Sequence, residues 1–405
     1  MAAAEVEHSG SSLPKKLVTF ALCAIFTLSL IYFSSPPLII SSTTNLLSQF
    51  QTRARARTTD LSTHLPDSFP RFISQTHLPG VVDGGYLHWR WQPASCNLPA
   101  LDPAAFLRLL RGKRLAFVGD STARNQAEAL VCHLATAARP VTVRRDEERL
   151  GRKFWRWAFP SPHDVNVSTY WSPFLVRSEG HSEDYGMAHE VVVLDALTEP
   201  WASDLAAMDV MVISAGHWFP HSAVYYDDGE IVGVHGRPDM NRTEMSAPSV
   251  YRKVLRRTLE HVINATMADK LELVVVETIA PAHFDGRYSW NHRDACSRQR
   301  PYDGDVDGEA KVRDTEAELR KAVLEEVAAA ATAARRRRPG LRFEVLDVTR
   351  LAAMRPDAHP GVYIYKNAYG GGPVPETAAN DCLHWCAPGP VDTFNDILMQ
   401  MIAGG

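Results

Sequence analysis

One serine lies at a position suited to nucleophilic chemistry. Gly-Asp-Ser at 119–121 comes directly after a short apolar run and before a helical stretch. A serine at such a strand-to-helix turn lies at the carboxyl edge of a sheet, beside helix N-terminal amides that can stabilise an oxyanion. Gly119 permits a close turn, and Ser121 is the predicted nucleophile. The alternative is that Ser121 is only the N-cap of the helix.

An aspartate and a histidine three residues apart lie near the C-terminus, in the segment 380–389. A serine hydroxyl needs a base, which histidine provides at neutral pH, and the imidazole needs an acidic partner to fix its tautomer. Because residues three apart share one face of a helical turn, a single short element can deliver both Asp381 and His384. We therefore predict that His384 is the base and Asp381 orients it. The alternative is a disulfide-stabilised surface turn with an incidental histidine.

Further residues are candidates for stabilising the oxyanion or contacting the substrate: Gly119, Arg124, Asn125, Gly216, His217 and Trp218. The last three follow an apolar run at 210–213, so they reach the carboxyl edge of the predicted sheet, where ligands bind in such folds. A packed loop is the alternative for them. His283 and His359 lack the neighbouring ligands that a metal site needs, so we expect no metal.

Strands and helices alternate along most of the chain. The predicted strands are 115–118, 191–194, 210–213, 271–277 and 343–348, and the predicted helices are 123–134 and 309–338. Continuous apolar strands separated by helices are typical of a parallel sheet covered on both faces, so we predict an α/β fold. Four arginines end the second helix, where cations suit a helix C-terminus.

The N-terminus predicts a membrane anchor. The run 17–33 carries no charge, and apolar character resumes at 38–40. About 20 apolar residues span a bilayer as a helix. A cleaved signal peptide is the alternative, but bulky residues at the end of the run favour an uncleaved anchor. The predicted organisation is a cytoplasmic tail (1–16), a transmembrane anchor (17–40), a lumenal stem (41–80) and a catalytic domain (81–405).

Two features place the bulk of the chain in the secretory lumen. Three N-x-S/T sequons follow the anchor, at Asn166, Asn241 and Asn264, and are predicted glycosylation sites. Five cysteines also follow it, none in a C-x-x-C unit, which favours disulfides over a zinc ribbon. The formal net charge of −4 gives no indication of a nucleic-acid partner.

The chain resembles the plant trichome-birefringence-like polysaccharide O-acetyltransferases from about residue 86 onward. Besides Gly-Asp-Ser and Asp-x-x-His, the shared motifs are Trp-Arg-Trp-Gln-Pro (89–93), Cys-x-Leu-Pro (96–99), Arg-Gly-Lys (111–113), Gly-His-Trp (216–218), Pro-x-His-Phe-x-Gly (281–286), Trp-Asn (290–291) and Arg-Pro-Asp-Ala-His (355–359). The resemblance implies an SGNH/GDSL-hydrolase-like fold with Ser121, Asp381 and His384 as the triad. It also implies disulfides Cys96–Cys386 and Cys296–Cys382, and leaves Cys132 without its usual partner.

The same resemblance implies a single-pass type II Golgi enzyme that acetylates hydroxyl groups of a hemicellulose through an acetyl-serine intermediate. Xyloglucan is the predicted acceptor, with mannan or xylan next. No bound cofactor is expected. An acetyl donor is required, either acetyl-CoA or an acetylated intermediate, and a membrane partner that delivers acetyl groups fits the same scheme. The alternatives are a carbohydrate acetylesterase, with water as acceptor, and a non-catalytic wall-polysaccharide binding protein.

Overall fold

The structure is a computed structural model. It describes residues 71–74, 85–93, 96–146, 154–265, 267–296, 298–303, 310–364, 369 and 372–404. The predicted tail (1–16), anchor (17–40) and all of the stem except 71–74 lie outside the described residues. Among the described residues, no helix combines the length and the apolarity needed to cross a bilayer.

Thirteen strands and seven α-helices are formed by the described residues. The strands are β1 (Arg71–Ser74), β2 (Trp89–Gln92), β3 (Arg114–Gly119), β4 (Val141–Asp146), β5 (Phe154–Phe159), β6 (Val165–Trp171), β7 (Val176–Gly180), β8 (Glu190–Leu197), β9 (Val210–Ser214), β10 (Ala223–Asp227), β11 (Glu230–His235), β12 (Leu273–Glu277) and β13 (Arg342–Leu346). The helices are α1 (Pro103–Leu109), α2 (Ser121–Leu134), α3 (Trp201–Asp204), α4 (Ala247–Asn264), α5 (Asp314–Arg337), α6 (Thr349–Ala353) and α7 (Pro390–Ala403).

A seven-stranded sheet in the order β13-β12-β9-β3-β6-β5-β4 forms the centre of the fold. The strands from β13 to β6 are parallel, while β5 and β4 are added antiparallel at one edge. The predicted parallel sheet is therefore present as five strands of a mixed sheet. Antiparallel edge strands on a parallel sheet are common in large α/β domains.

The central strands are buried on both faces. In β3, Leu115 and Phe117 belong to one hydrophobic core, and Ala116 and Val118 belong to the other. This alternation follows from the two-residue period of a strand. One core is completed by α4 and α5, and the other by α1, α2 and α7. The continuous apolar runs of the sequence therefore arise because helices cover both sides of the sheet.

The predicted strand 191–194 lies outside this sheet. It is part of β8, which belongs to a separate four-stranded sheet in the order β11-β10-β8-β7. There β8 pairs parallel with β10 and antiparallel with β7. An apolar run indicates a buried strand but does not specify its partner, which is why the sequence could not separate the two sheets.

The predicted stem also contains structure. β1 (Arg71–Ser74) pairs antiparallel with β2 and so joins the Trp-Arg-Trp-Gln motif. The carboxyl ends of β3, β9 and β12 are neighbours in the seven-stranded sheet and bring Gly119, Ser214 and Glu277 to one edge. The predicted site residues lie at this edge.

Candidate active site

The turn from β3 to α2 presents Ser121 as the first residue of the helix. The N-cap is Asp120, whose Oδ1 accepts hydrogen bonds from the backbone nitrogen of Thr122 at 2.9 Å and from its Oγ1 at 2.7 Å. Ser121 is partly exposed. The interpretation of Ser121 as the cap is therefore wrong, because a side-chain carboxylate satisfies the helix end and leaves the serine hydroxyl for other chemistry.

Gly119 makes this turn possible through its lack of a side chain. Its φ is 153°, and a Cβ atom there would lie 1.7 Å from the carbonyl oxygen of Ser214 on the adjacent strand. The carbonyl of Gly119 accepts a hydrogen bond from the backbone nitrogen of Ser172 at 2.7 Å. The structure thus gives this oxyanion candidate a steric role, which is to let β3 and β9 approach closely.

Asp381 holds the imidazole of His384 in one orientation. Its Oδ2 lies 2.8 Å from His384 Nδ1, and its Oδ1 accepts from the backbone nitrogens of Leu383 at 3.0 Å and His384 at 2.9 Å. Burial pushes the pKa of Asp381 upward, but the hydrogen bond and charge of His384 outweigh it and hold that pKa below its usual value. The ionised carboxylate accepts the proton on Nδ1, which leaves Nε2 as the basic nitrogen.

His384 Nε2 is buried and has no hydrogen-bond partner among the described residues. A basic nitrogen in this state can accept a proton from an incoming group. Ser121 Oγ does not hydrogen-bond to it in the structure. Such contacts are commonly long in substrate-free enzymes and tighten when the reacting complex forms.

Asn125 fastens the base segment to the nucleophile helix. Its Nδ2 donates to the carbonyl of Trp385 at 3.1 Å, and its Oδ1 accepts from the backbone nitrogen of Trp385 at 3.0 Å. Residues four apart lie on the same helix face, so Asn125 shares the face of Ser121. The structure therefore places the residue after His384 one helical turn from Ser121. Because its amide oxygen and one of its two amide hydrogens are engaged by Trp385, Asn125 positions the base segment.

The Gly216–Trp218 segment is joined to the same turn by Asp120. The backbone nitrogens of Gly216 and His217 each donate to Asp120 Oδ2 at 3.2 Å. Burial lowers the pKa of His217, whose ring is also sensitive to the charges of Asp120 and His384. The N–H groups of Gly216 and His217 are therefore already engaged by Asp120.

The side chains of Trp218 and Arg124 each contact the aromatic ring of another residue. Trp218 is 8% exposed and stacks on His221, with ring centroids 4.8 Å apart. The Arg124 guanidinium lies 5.5 Å from the centroid of the Trp155 ring. Neither side chain is shown in contact with the triad.

A buried polar chain beneath the turn was not predicted. Ser214 Oγ lies 3.1 Å from Thr122 Oγ1 and 3.2 Å from Glu277 Oε1, so Glu277 is linked through two hydroxyls to Asp120. Burial raises the pKa of Glu277 to about 8. A signal was available, because Asp120, Ser214 and Glu277 each lie at the carboxyl end of an apolar run.

The two predicted disulfides are not formed in the structure, where Cys296, Cys382 and Cys386 are thiols. Cys382 and Cys296 share a side-chain hydrogen bond and are therefore adjacent. Cys386 shares one with the hydroxyl of Tyr86. Disulfide formation requires thiol oxidation as well as proximity, so both pairings stay predictions.

The predicted glycosylation sites differ in their environments. Asn241 is exposed, and so is Asn264, which ends α4 and accepts a hydrogen bond from Arg337 at 3.2 Å. Asn166 is partly buried in β6, where its backbone pairs with β3 and β5. Glycosylation stays a prediction at all three.

Comparison with known proteins identifies relatives of this chain. Residues 98–401 match the model of the PC-Esterase family, described as a GDSL/SGNH-like acyl-esterase family found in Pmr5 and Cas1p. Xyloglucan O-acetyltransferase 1 of Arabidopsis thaliana is 44% identical over 323 residues, which cover 80% of this chain and 72% of that protein. Xyloglucan O-acetyltransferase 2 of Populus trichocarpa is 43% identical, covering 80% and 74%.

A third relative is the protein trichome birefringence-like 23 of Arabidopsis thaliana, 34% identical over 80% of this chain and 73% of its own length. The resemblance predicted from the ordered motifs is therefore confirmed, as is the prediction of an enzyme.

Proposed function

The chain belongs to the GDSL/SGNH-like acyl-esterase family found in Pmr5 and Cas1p, and from that premise we propose that it transfers acetyl groups to hydroxyl groups of xyloglucan. The observation that carries the proposal is that Nε2 of His384 has no hydrogen-bond partner among the described residues, on a segment that Asn125 fastens to the helix of Ser121. Relatives named xyloglucan O-acetyltransferases support a polysaccharide acceptor. Mannan and xylan are the alternative acceptors.

The reaction proceeds by double displacement. Nε2 of His384 takes the proton of Ser121 Oγ as that oxygen attacks the acetyl carbonyl of the donor. The donor's leaving group departs with the proton from His384, and Ser121 carries the acetyl ester. A sugar hydroxyl then gives its proton to His384 and attacks the ester, and Ser121 recovers its proton. Asp381 stabilises the imidazolium that forms in each half.

The developing oxyanion is placed at the first turn of α2. The first amides of a helix have no partner within the helix, and the helix dipole favours negative charge there. The amide of Thr122 already donates to Asp120 Oδ1, and those of Gly216 and His217 donate to Oδ2, so we assign the oxyanion to the other amides of this first turn.

An aromatic cluster beside His217 is a candidate acceptor surface. Trp218 stacks on His221, and Tyr185 extends from the same cluster with 76% of its surface exposed. Aromatic rings with one open face suit contact with the apolar faces of sugars. We therefore propose that Trp218 contributes to the acceptor cleft as a member of this aromatic cluster and not by contacting the triad.

The cellular setting remains as proposed from the sequence. We place the enzyme in the Golgi membrane as a single-pass type II protein, with its catalytic domain in the lumen and no bound cofactor. The acetyl donor is acetyl-CoA or an acetylated intermediate, which a membrane partner could deliver.

Product analysis on an acceptor panel tests the proposal. The full-length enzyme is incubated with an acetyl donor and deacetylated xyloglucan, mannan and xylan, and the products are mapped by NMR. We expect acetylated xyloglucan from wild type. For Ser121→Ala, we expect a rate lower by at least about 10³-fold, while an exposed-serine control, Ser203→Ala, keeps the wild-type rate.

The rival functions give different outcomes. Release of acetate from the donor, with no acetylated product on any acceptor, would count against transfer and favour a hydrolase such as a carbohydrate acetylesterase. Glycan binding without turnover, unchanged in Ser121→Ala, would identify a non-catalytic binding protein.

A further inference from the structure

Two histidines outside the triad contact the segment that carries the base. His359 Nδ1 lies 2.7 Å from the carbonyl oxygen of His384, and His359 Nε2 lies 2.7 Å from His283 Nδ1. His283 Nε2 in turn lies 3.0 Å from the carbonyl of Ala353, at the end of α6. Three contacts at hydrogen-bonding distance therefore connect a regular helix to the backbone of the base.

The same two residues hold the segment through other atoms. The backbone nitrogen of His283 donates to the carbonyl of Cys382 at 2.8 Å. The ring of His359 packs against the ring of Trp385, with centroids 5.0 Å apart and planes 31° apart. Three residues of the base segment are thus contacted by this histidine pair.

Hydrogen-bond chemistry assigns the proton on His359. A carbonyl oxygen only accepts, so the contact with His384 requires a proton on His359 Nδ1. The other ring nitrogen of His359, Nε2, then faces Nδ1 of His283. The carbonyl of Ala353 likewise requires a proton on His283 Nε2, so all three contacts are satisfied together only when the pair holds three protons.

Burial opposes a third proton on the pair. It lowers the pKa of both imidazoles, that of His359 to about 3, because desolvation disfavours the cation. The charged and titratable groups that face the pair are Glu316, Asp357 and Arg313 at His283, and Asp381 and His384 at His359. The neutral pair holds two protons. One of them still makes the hydrogen bond to the carbonyl of His384 when it lies on Nδ1 of His359.

We propose that His359, braced by His283, is a positioning residue that fixes the backbone of the base His384. The inference rests on the proposed function of His384. Asp381 fixes the ring through Nδ1, and His359 fixes the peptide unit to which the ring is attached. Both are needed because a reacting group displaced by about 1 Å can lose about 10²-fold in rate.

Two amide substitutions separate this role from simple filling of space. The amide nitrogen of asparagine lies about where His Nδ1 lies, so His359→Asn keeps a donor to the carbonyl of His384. The amide of glutamine reaches the position of Nε2, so His359→Gln loses that donor. We expect His359→Asn to keep kcat for acetyl transfer within about threefold and His359→Gln to lower it about 10- to 100-fold, with KM for the acceptor unchanged in both.

His235→Gln is the matched control, because His235 also makes a side-chain hydrogen bond, to Glu244 at 2.8 Å, but in the four-stranded sheet. Its kcat should equal that of wild type. Equal kcat values for the two His359 variants, at matched folded fractions in thermal melting, would overturn the inference.

NMR of the ring nitrogens in 15N-histidine-labelled enzyme tests the contact without using activity. We expect His359 to be protonated on Nδ1, and the His384 ring signals to shift in His359→Gln but not in His359→Asn. A His359 that lacks the Nδ1 proton, or unchanged His384 signals in both variants, would contradict the inference. Full activity in Ser121→Ala would instead contradict the proposed function, so the two failures are distinguishable.

Discussion

The nucleophile and the base are held in contrasting ways. Ser121 starts α2 directly after β3, so two regular elements and one glycine set its position. The base lies between α6 and α7, where the described residues form a single 3-10 turn, Pro356–Ala358. Besides backbone hydrogen bonds, that segment is held by side-chain hydrogen bonds from Asp381, Asn125 and His359.

Because of this contrast, substitutions in the two halves of the site should affect different properties of the protein. The nucleophile turn is built from buried backbone, so a change there should affect folding before it affects chemistry. The base segment is fastened by individual side chains, so removing one should displace the imidazole in a protein that is still folded.

The largest expected effect is on the nucleophile turn. Gly119→Ala places a Cβ atom 1.7 Å from the carbonyl oxygen of Ser214, at a φ of 153°. Both strands are buried and cannot separate freely, so we expect the free energy of unfolding to fall by about 3 kcal/mol or more. Urea denaturation measures this. Gly286→Ala is the control because nothing lies within 4 Å of its Cβ position. Equal stability of the two variants would contradict the steric role of Gly119.

Asn125 links the base segment to α2, and its substitution should lower stability less than Gly119→Ala but lower the rate strongly. Asn125→Ala leaves the backbone nitrogen and carbonyl of Trp385 without this partner, which should cost about 1–3 kcal/mol. We expect kcat to fall about 10- to 100-fold because the base segment loses its link to α2. Steady-state kinetics and melting of the variant, with the exposed Asn97→Ala as control, measure both. If Asn125→Ala lost stability but kept the wild-type kcat, Asn125 would stabilise the fold without positioning the base.

A last effect is expected beneath the nucleophile turn and is seen only as a dependence of stability on pH. The pKa of Glu277 is raised to about 8 in the folded protein, so the native state binds its proton more tightly than the unfolded chain does. Stability from this proton is complete below the unfolded pKa, about 4.5, and is lost as pH rises through about 8. Between those values wild type should lose stability relative to Glu277→Gln, which stays neutral.

Urea denaturation across that pH range measures the slope. Glu318→Gln, on the exposed face of α5, is the control and should follow wild type. Parallel pH profiles for wild type and Glu277→Gln would show that Glu277 does not keep its proton in the folded state.

Sequence patterns predicted those parts of the site that depend on near neighbours. The apolar run before Gly-Asp-Ser indicated β3, and the helix after it was predicted to within a few residues of α2. The spacing of Asp381 and His384 predicted their contact, which is 2.8 Å. The contact of Asn125 with Trp385 was not predicted, since Trp385 lies 260 positions away and no local pattern identifies it.

Sequence patterns were enough to predict the strand, turn and helix around Ser121, the contact of Asp381 with His384, and the family to which the chain belongs. These follow from interactions over a few residues and from ordered motifs. Three features became apparent only from the folded chain: β8 lies in a second sheet, Asp120 binds the Gly216–Trp218 segment, and His283 and His359 contact the base segment. Such contacts depend on how the whole chain packs, because hydrogen bonds between distant residues form only where the fold brings complementary groups together.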